Sequence, residues 1–448
     1  MSDFWDEAKE TRPVKEREVI VLDRLRSQLA SAYEHLPFYR RLYDSKGFKP
    51  ADVQSLDDFT RLVPVVTKDM LRQDQEANPP FGSYVGVAPS DIARIHGSSG
   101  TTGKPTLYAI SKDDWAYSAE VMAQGFWTCG VRPTDTVQFA TVFSLFLGGW
   151  GSLLAAERIG AAAFPLGAGE TERQLELMHR IGTTVLITTP TYALHMLETG
   201  QALGYDTAAS PLRLGIFVGE PGASIPGTRR TLEKGWGITV RDCATTSELM
   251  PWATNAECEL GRGVHVLNDE VWTEIVSKDD PNEPIPLGDS GAVIYSHVRR
   301  TSQPMIRFWS GDESRMVDED CGCGRTYPRL PDGVYGRLDD MLIIRGANVY
   351  PSQVQRSLLE VDGLGVEFKI VLERDGSMDV VTVRVEVAPG DANASDDARA
   401  ALLDRTRRKL KSDTNVNFEV ELLPSGTLER AISKAQRVDD RRGSYRPA

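Results

Sequence analysis

Apolar side chains in the N-terminal part of the chain recur at helical spacing. Residues 15–75 are polar overall, and within them Val21, Leu25, Leu29 and Tyr33 follow one another at intervals of four. This spacing places one apolar stripe on one face of a helix. We therefore predict that this segment is mainly helical.

From about residue 90 to 300 the pattern changes to short apolar runs that alternate with helical patterns. Runs at 137–142, 184–188 and 212–218 have the length of buried strands, and each is followed by a turn or a helix. Strands that alternate with helices in this way predict a doubly wound α/β core. Ligands of such sheets gather at the carboxyl ends of the strands.

Beyond about residue 338 the pattern changes again. Valines at 381, 383, 385 and 387 alternate with polar residues, as expected for a half-buried strand. The other predicted elements are a helix at 352–360, a strand at 368–373, a hairpin turn at Asp375-Gly376, an amphipathic helix at 396–411 and a strand at 417–423. These elements predict a small α+β domain.

A loop rich in glycine and hydroxyl groups is the strongest chemical feature of the chain. Residues 97–106 read GSSGTTGKPT. Glycines let backbone N–H groups approach a polyanion, and such turns form concavities that bind phosphate. The common P-loop register is excluded, because the positions that it requires to be Gly and Ser or Thr hold Ser98 and Pro105. The sequence therefore predicts a phosphate loop of another class.

Charge and cysteine content narrow the class of protein. The net charge of −13 argues against nucleic acid or an anionic membrane as partner. The apolar stretch at 145–164 contains Glu157 and Arg158, so it is not expected to span a membrane. Five unevenly spaced cysteines argue against a disulfide framework. We expect a cytoplasmic protein, and the sequence leaves its oligomeric state, including a homodimer, open.

Further segments follow the glycine loop in a characteristic order. They are FVGEP at 217–221, TTSE at 245–248, MIRFWSGD at 305–312, GRLDDMLIIRGANVYP at 336–351 and GTL at 426–428 followed by KAQR at 434–437. Together with Arg94-Ile95-His96, these segments resemble the adenylate-forming enzymes, and specifically the phenylacetate–coenzyme A ligase branch. The likeness extends from about residue 20 to 440.

The resemblance implies a two-step reaction. A carboxylate attacks the α-phosphate of Mg·ATP to give an acyl-adenylate and pyrophosphate, and a thiol then attacks the mixed anhydride. Coenzyme A is the expected thiol, and the phosphopantetheine of a carrier protein is the alternative. A nucleotide-binding protein without catalysis would be expected to lack the cation or the metal-binding acid, yet Lys434, Glu248 and Asp312 are present.

The resemblance also implies a large N-terminal α/β domain and a small C-terminal domain that rotates between the half-reactions. The implied boundaries are 1–337 for the adenylation core with its helical start, 338–340 for the hinge and 341–448 for the mobile α+β domain. Asp339 matches the hinge position of the family.

Residue roles follow from the same resemblance. Lys434 would reach the α-phosphate and the attacking carboxylate, Glu248 would coordinate Mg²⁺, and Asp312 would bind the ribose hydroxyls with Arg337 nearby. The phosphates would be held by the loop residues Ser98, Ser99, Gly100, Thr101, Thr102, Gly103 and Lys104, and Thr102 is also assigned to catalysis. The remaining nucleotide or thiol contacts are assigned to Gly219, Glu220, Pro221, Thr246, Ser247, Arg345 and Gly346. His96 is either packed in its loop or placed near the substrate carboxylate.

The acyl pocket is expected after the strand at 137–142. Phe143, Phe146 and Trp150, with Gly219, Ala244 and Met250, would form a flat apolar slot suited to an aryl or arylacetic acid. Taken singly, each of these large side chains is more typical of a protein core than of a pocket. One departure from the branch is Ala244-Thr245 in place of its usual Tyr-Gly. The aromatic face that stacks on adenine is thereby lost.

Four potential zinc ligands occur between residues 258 and 323. Cys258, His265, Cys321 and Cys323 supply three thiols and one imidazole, the ligand set of a closed structural zinc site. The alternative is three unrelated thiols and an unrelated histidine. Cys129 and Cys243 have no such neighbours and are expected to be packed.

Overall fold

A computed structural model of the chain describes residues 2–98, 105–338, 342–344, 347–375, 378–388, 395–430 and 436–442. Its helices are α1 (Glu7–Glu10), α2 (Val14–His35), α3 (Pro37–Ser45), α4 (Leu56–Leu62), α5 (Lys68–Ala77), α6 (Lys112–Cys129), α7 (Gly148–Ile159), α8 (Thr171–Ile181), α9 (Pro190–Ala202), α10 (Pro226–Trp236), α11 (Pro351–Leu359) and α12 (Asp396–Thr414). The four-residue spacing near the N-terminus corresponds to α2, whose Val21, Leu25 and Leu29 are fully buried.

The strands follow the predicted division of the chain. They are β1 (Ile92–Gly97), β2 (Leu107–Ser111), β3 (Thr136–Phe139), β4 (Ala162–Phe164), β5 (Val185–Thr188), β6 (Leu214–Phe217), β7 (Thr239–Ala244), β8 (Asn255–Glu257), β9 (Val264–Val266), β10 (Val271–Val276), β11 (Ser290–His297), β12 (Phe308–Arg315), β13 (Arg329–Leu330), β14 (Gly336–Arg337), β15 (Leu342–Ile344), β16 (Ala347–Val349), β17 (Leu364–Asp375), β18 (Met378–Val387), β19 (Glu419–Leu423) and β20 (Val438–Asp440). The predicted strands at 184–188 and 212–218 are confirmed as β5 and β6. The strand predicted at 137–142 is β3, which ends at Phe139; beyond it Ala140 packs in an apolar core cluster and Val142 lines a cavity.

The central sheet of the large domain has the order β13-β9-β8-β7-β6-β5-β3-β4. Strands β4, β3, β5, β6 and β7 are parallel, whereas β8, β9 and β13 continue the sheet in antiparallel fashion. The chain runs from β3 outward to β4 and then back across β3 to β5. This reversal is the topological switch point at which doubly wound sheets bind ligands. The predicted α/β core is therefore confirmed.

Two smaller sheets complete the large domain. Strands β10, β11, β12 and β14 form an antiparallel sheet, and β1 and β2 form a hairpin. The hairpin brackets residues 99–104, so both ends of the predicted phosphate loop lie on one rigid element.

The small domain has a sheet and an apolar core of its own. Its sheet has the order β19-β18-β17-β20, in which β17 and β18 are antiparallel and the two outer pairs are parallel. Alternate residues of β18, among them Val381, Val383 and Val385, are buried with side chains of α11 and α12. No helix within the described part of the chain is long and apolar enough to cross a membrane.

Candidate active site

Reciprocal hydrogen bonds close the base of the predicted phosphate loop. The Ser98 N–H donates to the Thr106 carbonyl at 3.0 Å, and the Thr106 N–H donates to Ser98 Oγ at 3.2 Å. Ser98 is buried at this position. Residues Ser99, Gly100, Thr101, Thr102, Gly103 and Lys104 lie outside the described residues, so their roles remain predictions.

His96 precedes the loop on β1 and is tied to the opposite segment. Its Nδ1 lies 3.0 Å from the Leu145 carbonyl, so Nδ1 carries the proton and donates. Burial lowers the pKa of His96, and the nearby Arg94 cation adds to this effect. His96 is therefore packed against the segment that contains Leu145. The position of the substrate carboxylate relative to it remains a prediction.

Glu248 follows β7 and is buried. Its Oε1 forms an ion pair with Lys68 Nζ at 2.9 Å and accepts a hydrogen bond from the Tyr108 hydroxyl at 3.2 Å. Burial and the neighbouring Glu248 carboxylate raise the pKa of Tyr108 far above its ordinary value, so this hydroxyl stays a donor. Lys68, at the first position of α5, was not predicted from the sequence, because nothing local links it to a carboxylate 180 positions later.

Thr246 and Ser247 lie in the turn before Glu248. Thr246 Oγ1 is buried, and it has no hydrogen-bond partner among the described residues. Unpaired buried hydroxyls are costly in a folded protein unless a ligand or water satisfies them. A bound nucleotide fits this requirement.

Asp312 and Arg337 face each other across the antiparallel sheet. They are opposed in the register of β12 and β14, and Arg337 Nη1 donates to Asp312 Oδ1 at 3.2 Å. Asp312 is nearly fully buried, whereas the Arg337 side chain is 36% exposed. The structure thus joins two residues that the sequence placed 25 positions apart.

An open apolar cavity of about 500 Å³ lies beyond the carboxyl ends of β3 and β4. Phe143 and Trp150 line it and meet edge-on, with ring centroids 5.2 Å apart. The other lining residues are Val142, Leu153, Pro165, Leu166, Gly167 and Ala168. Trp150 is fixed by its indole N–H, which donates to the Ser144 carbonyl at 3.1 Å. The lining of the cavity is mainly apolar, as the prediction of an acyl pocket requires.

The other predicted pocket residues, Phe146, Gly219, Ala244 and Met250, are not among the residues that line this cavity. Met250 packs in a cluster with Leu147 and Trp150. Gly219, in the left-handed region with φ 85°, follows β6, and Ala244 ends β7. Ala244 donates its N–H to Asn255 Oδ1 at 3.0 Å.

Glu220 follows Gly219 and has a partner on the neighbouring helix. The Thr191 hydroxyl, near the start of α9, donates to Glu220 Oε2 at 2.6 Å. Pro221 then begins a short 3-10 turn. Asp339, Arg345, Gly346 and Lys434 lie outside the described residues.

The four potential zinc ligands converge at the other edge of the central sheet. All four ligand atoms lie within 4.8 Å of one another; Cys258 Sγ is 3.6 Å from Cys321 Sγ, and Cys323 Sγ is 3.4 Å from His265 Nε2. Ligands of tetrahedral zinc, with bonds of about 2.3 Å to sulfur and about 2.0 Å to nitrogen, lie about 3.5–3.8 Å apart. The four residues therefore fit a zinc ion. In the sheet order, β8, β7 and β6 lie between β9, which carries His265, and the switch point beside β5, so a metal here would be structural.

The fold, the loop and the site define an adenylate-forming enzyme, and comparison with known proteins gives the same result. The family model of the AMP-binding enzyme matches residues 22–297, and that of the AMP-binding enzyme C-terminal domain matches residues 346–442. The chain belongs to the AMP-binding enzyme family.

Several relatives are similar over nearly their whole length. The chain is 33% identical to the phenylacetate-coenzyme A ligase of Escherichia coli over 97% of both chains. It is 34% identical to that of Thermus thermophilus over 97% of this chain and 98% of the relative. The likeness to the phenylacetate–coenzyme A ligase branch is thereby confirmed.

A solved structure of 2-hydroxyisobutyryl-CoA ligase in the postadenylation state, in complex with R3-HIB-AMP, matches with a TM-score of 0.94 and 38% identity. It covers 99% of this chain and 93% of the other. The same enzyme in its thioesterification state, in complex with 2-HIB-AMP and CoA, matches with a TM-score of 0.75 and 39% identity. This match covers 98% of this chain and 93% of the other. The structure of this chain is thus more similar to the postadenylation state than to the thioesterification state.

Proposed function

We propose that this protein is an AMP-forming acid–thiol ligase that activates an aromatic carboxylic acid, aryl or arylacetic, and transfers it to coenzyme A. The structural observation that supports this most directly is that Glu248, after β7, and the apolar cavity, beyond β3 and β4, both follow the carboxyl ends of parallel strands of the central sheet. The full-length likeness to phenylacetate-coenzyme A ligases supports the same substrate class.

The first half-reaction joins two anions, so the protein must neutralise and position them. The residues proposed to do so are the loop at 98–104 for the phosphates, Asp312 for the ribose hydroxyls and Lys434 for the α-phosphate and the attacking carboxylate. Glu248 would hold Mg²⁺, which offsets charge on the phosphate oxygens when bound. Lys68 pairs with the same carboxylate and supplies a positive charge there in the ion-free protein.

Phe143 and Trp150 would hold the hydrophobic part of the acid and exclude water from the mixed anhydride. The second half-reaction requires the thiol to reach the carbonyl carbon. We place the hinge for this change at residues 338–340, around Asp339, between a core at 1–337 and a small domain at 341–448. Gly346 and Arg345 would then face the pantetheine arm.

A second substrate class is favoured by one observation. The solved structure of 2-hydroxyisobutyryl-CoA ligase is 38% identical to this chain, above the identity of the phenylacetate-coenzyme A ligases. A short branched hydroxy acid is therefore the competing substrate.

ATP–pyrophosphate exchange across benzoic, anthranilic, phenylacetic, heteroaryl and 2-hydroxyisobutyric acids tests both classes. We expect the highest kcat/KM with an aromatic acid. A higher kcat/KM with 2-hydroxyisobutyrate would show that the substrate is a hydroxy acid and not an aromatic acid. If no acid supports exchange, the ligase assignment is refuted.

The identity of the thiol needs its own experiment. We expect thioester formation with free coenzyme A. Turnover only with a holo-carrier protein would instead assign the enzyme to carrier loading.

We also propose a structural zinc ion at Cys258, His265, Cys321 and Cys323. Hydrogen bonding from the Cys258 thiol, and then from His265, lowers the pKa of Cys323 although burial opposes this, and the thiolate is the form that binds zinc. Elemental analysis of gently purified protein should find one zinc per chain, and its absence would refute this site. All five cysteines are free, as expected in the cytoplasm, where we place the enzyme.

A further inference from the structure

Two arginines of the small domain contact one face of helix α9 in the large domain. Arg430 Nη2 donates to Glu198 Oε2 at 3.3 Å, and Arg437 Nη2 donates to Thr191 Oγ1 at 3.5 Å. Thr191 and Glu198 are seven residues apart, so they lie on the same helical face about 10 Å from each other. The two contacts therefore form a two-point attachment.

Arg430 is oriented by its own domain before it reaches α9. Its guanidinium binds Glu386 through two hydrogen bonds, at 2.9 Å to Oε1 and 2.8 Å to Oε2. Glu386 also accepts the N–H groups of Gly426 at 3.0 Å and Leu428 at 2.6 Å. Burial opposes the ionisation of Glu386, but Arg430 and these N–H groups outweigh it and lower its pKa. The segment 426–428, singled out in the sequence, is thus the turn that presents Arg430.

Arg437 is held in a similar way. Its Nη1 donates to Glu367 and to the Phe368 carbonyl, the latter at 3.3 Å, and its guanidinium lies 4.8 Å from the centroid of the Phe368 ring. On the opposite side of the interface, Thr191 donates to Glu220. The second attachment point is therefore connected to the loop after β6, where nucleotide contacts are predicted.

A close steric contact accompanies these polar contacts. Gly227, near the start of α10, packs against Leu359 at the end of α11; a Cβ at Gly227 would lie 2.8 Å from Leu359 Cβ and 3.1 Å from its carbonyl oxygen. Val366 packs against the core cluster of the large domain that includes Leu194 and Leu197 of α9. Any side chain at position 227 would push the domains apart.

The two arginines flank Lys434 in the sequence. Lys434 is four residues after Arg430 and three before Arg437. Fixing both arginines on α9 therefore limits where the Lys434 ammonium group can go.

We propose that Glu198 and Thr191 are positioning residues for adenylation, and that the Arg430–Glu198 pair with the Arg437–Thr191 contact forms a latch. The latch holds the small domain in its adenylation arrangement and places Lys434 at the nucleotide. The domain arrangement supports this, because it is similar to the postadenylation state of the related ligase at a TM-score of 0.94 and less similar to the thioesterification state at 0.75. The inference rests on the proposed function, since it concerns the first half-reaction.

The test compares the two half-reactions in Glu198→Gln. The variant keeps the shape of the side chain and removes its charge. ATP–pyrophosphate exchange measures adenylation, and thioester formation from supplied acyl-adenylate and coenzyme A measures the second step. We expect kcat for exchange to fall about tenfold, as for the loss of one charge-assisted hydrogen bond, with little change in KM for ATP or the acid. Thioester formation should be unchanged or faster.

Two further variants separate the latch from a general structural role. Gly227→Ala should also lower kcat for exchange without slowing thioester formation, because its added methyl group would collide with Leu359 across the interface. Glu176→Gln, at an exposed acid of neighbouring α8, is the matched control and should leave both steps unchanged.

Three outcomes would overturn the latch. They are equal losses in both half-reactions, no loss in either for Glu198→Gln, and a comparable loss in Glu176→Gln. A wild-type protein without exchange on any acid would refute the proposed function itself and the latch with it. If the wild-type protein catalyses exchange normally and Glu198→Gln shows no selective loss of exchange, only the latch is refuted.

Discussion

The ribose contact assigned to Asp312 gives a quantitative prediction. Asp312 is 6% exposed on β12, opposite Arg337 on β14, and its carboxylate is the proposed acceptor for the two ribose hydroxyls. Asp312→Asn keeps the size of the side chain, removes the charge and replaces one acceptor with a donor. The variant should therefore lose one charge-assisted hydrogen bond to ATP while keeping the fold.

The expected magnitude follows from the geometry of the pair. A hydrogen bond to a charged group contributes about 1.5–3 kcal/mol, which corresponds to a rise in KM for ATP of roughly 10- to 150-fold. The Arg337 side chain is 36% exposed. Its pairing with Asp312 should therefore contribute at most about 1 kcal/mol to stability, and Tm should change little.

Deoxynucleotides test whether the change in KM for ATP comes from the contact between Asp312 and the ribose hydroxyls. Wild-type protein should prefer ATP over 2′-deoxy-ATP and 3′-deoxy-ATP in pyrophosphate exchange, whereas Asp312→Asn should largely lose this preference. Glu313→Gln is the matched control, because Glu313 is the adjacent buried acid and binds Lys278 and Ser290 instead. Undiminished discrimination by Asp312→Asn would refute the ribose assignment.

Other variants test the cavity, the cysteine cluster and a buried acid. Trp150→Ala should enlarge the cavity and raise the kcat/KM of a naphthylacetic acid relative to phenylacetic acid by about tenfold; an unchanged ratio would place the acyl group elsewhere. Cys323→Ser should remove zinc and lower Tm by roughly 5 °C, as should a chelator on wild-type protein; equal Tm values would contradict a structural metal. Burial raises the pKa of Asp242 to about 7, with the neighbouring Glu257 adding to the effect and Ser224 opposing it. Because this folded-state pKa lies above the ordinary value of 3.8, stability is lost as the pH rises toward 7. Asp242→Asn should therefore stabilise the protein more at pH 8 than at pH 5, by roughly 2–3 kcal/mol, in denaturant titrations at the two pH values.

Local patterns were sufficient for most of the fold. The four-residue spacing of Val21, Leu25 and Leu29 marks a single helical face, and the apolar runs at 184–188 and 212–218 mark strands that are buried on both sides. The same kind of pattern misplaced the end of the strand at 137–142, because an apolar cavity wall and a buried strand have the same composition. The structure was needed to separate Val142 from the sheet.

Residue identity also indicated much of the candidate site. Asp312 and Glu248 were selected because their motifs resemble those of the adenylate-forming family, and the four potential zinc ligands were selected for their thiols and imidazole. The structure brings Asp312 to Arg337 and collects the thiols around His265. The pairing of Lys68 with Glu248 had no sequence signal.

The sequence by itself determined the class of fold and the membership of the adenylate-forming family, because these depend on short-range periodicity and on motifs in a fixed order. Only the tertiary structure decided which charges meet, such as Glu198 with Arg430, 232 positions apart. Sheet order and domain docking set such contacts, and a single chain's local pattern carries no information about either.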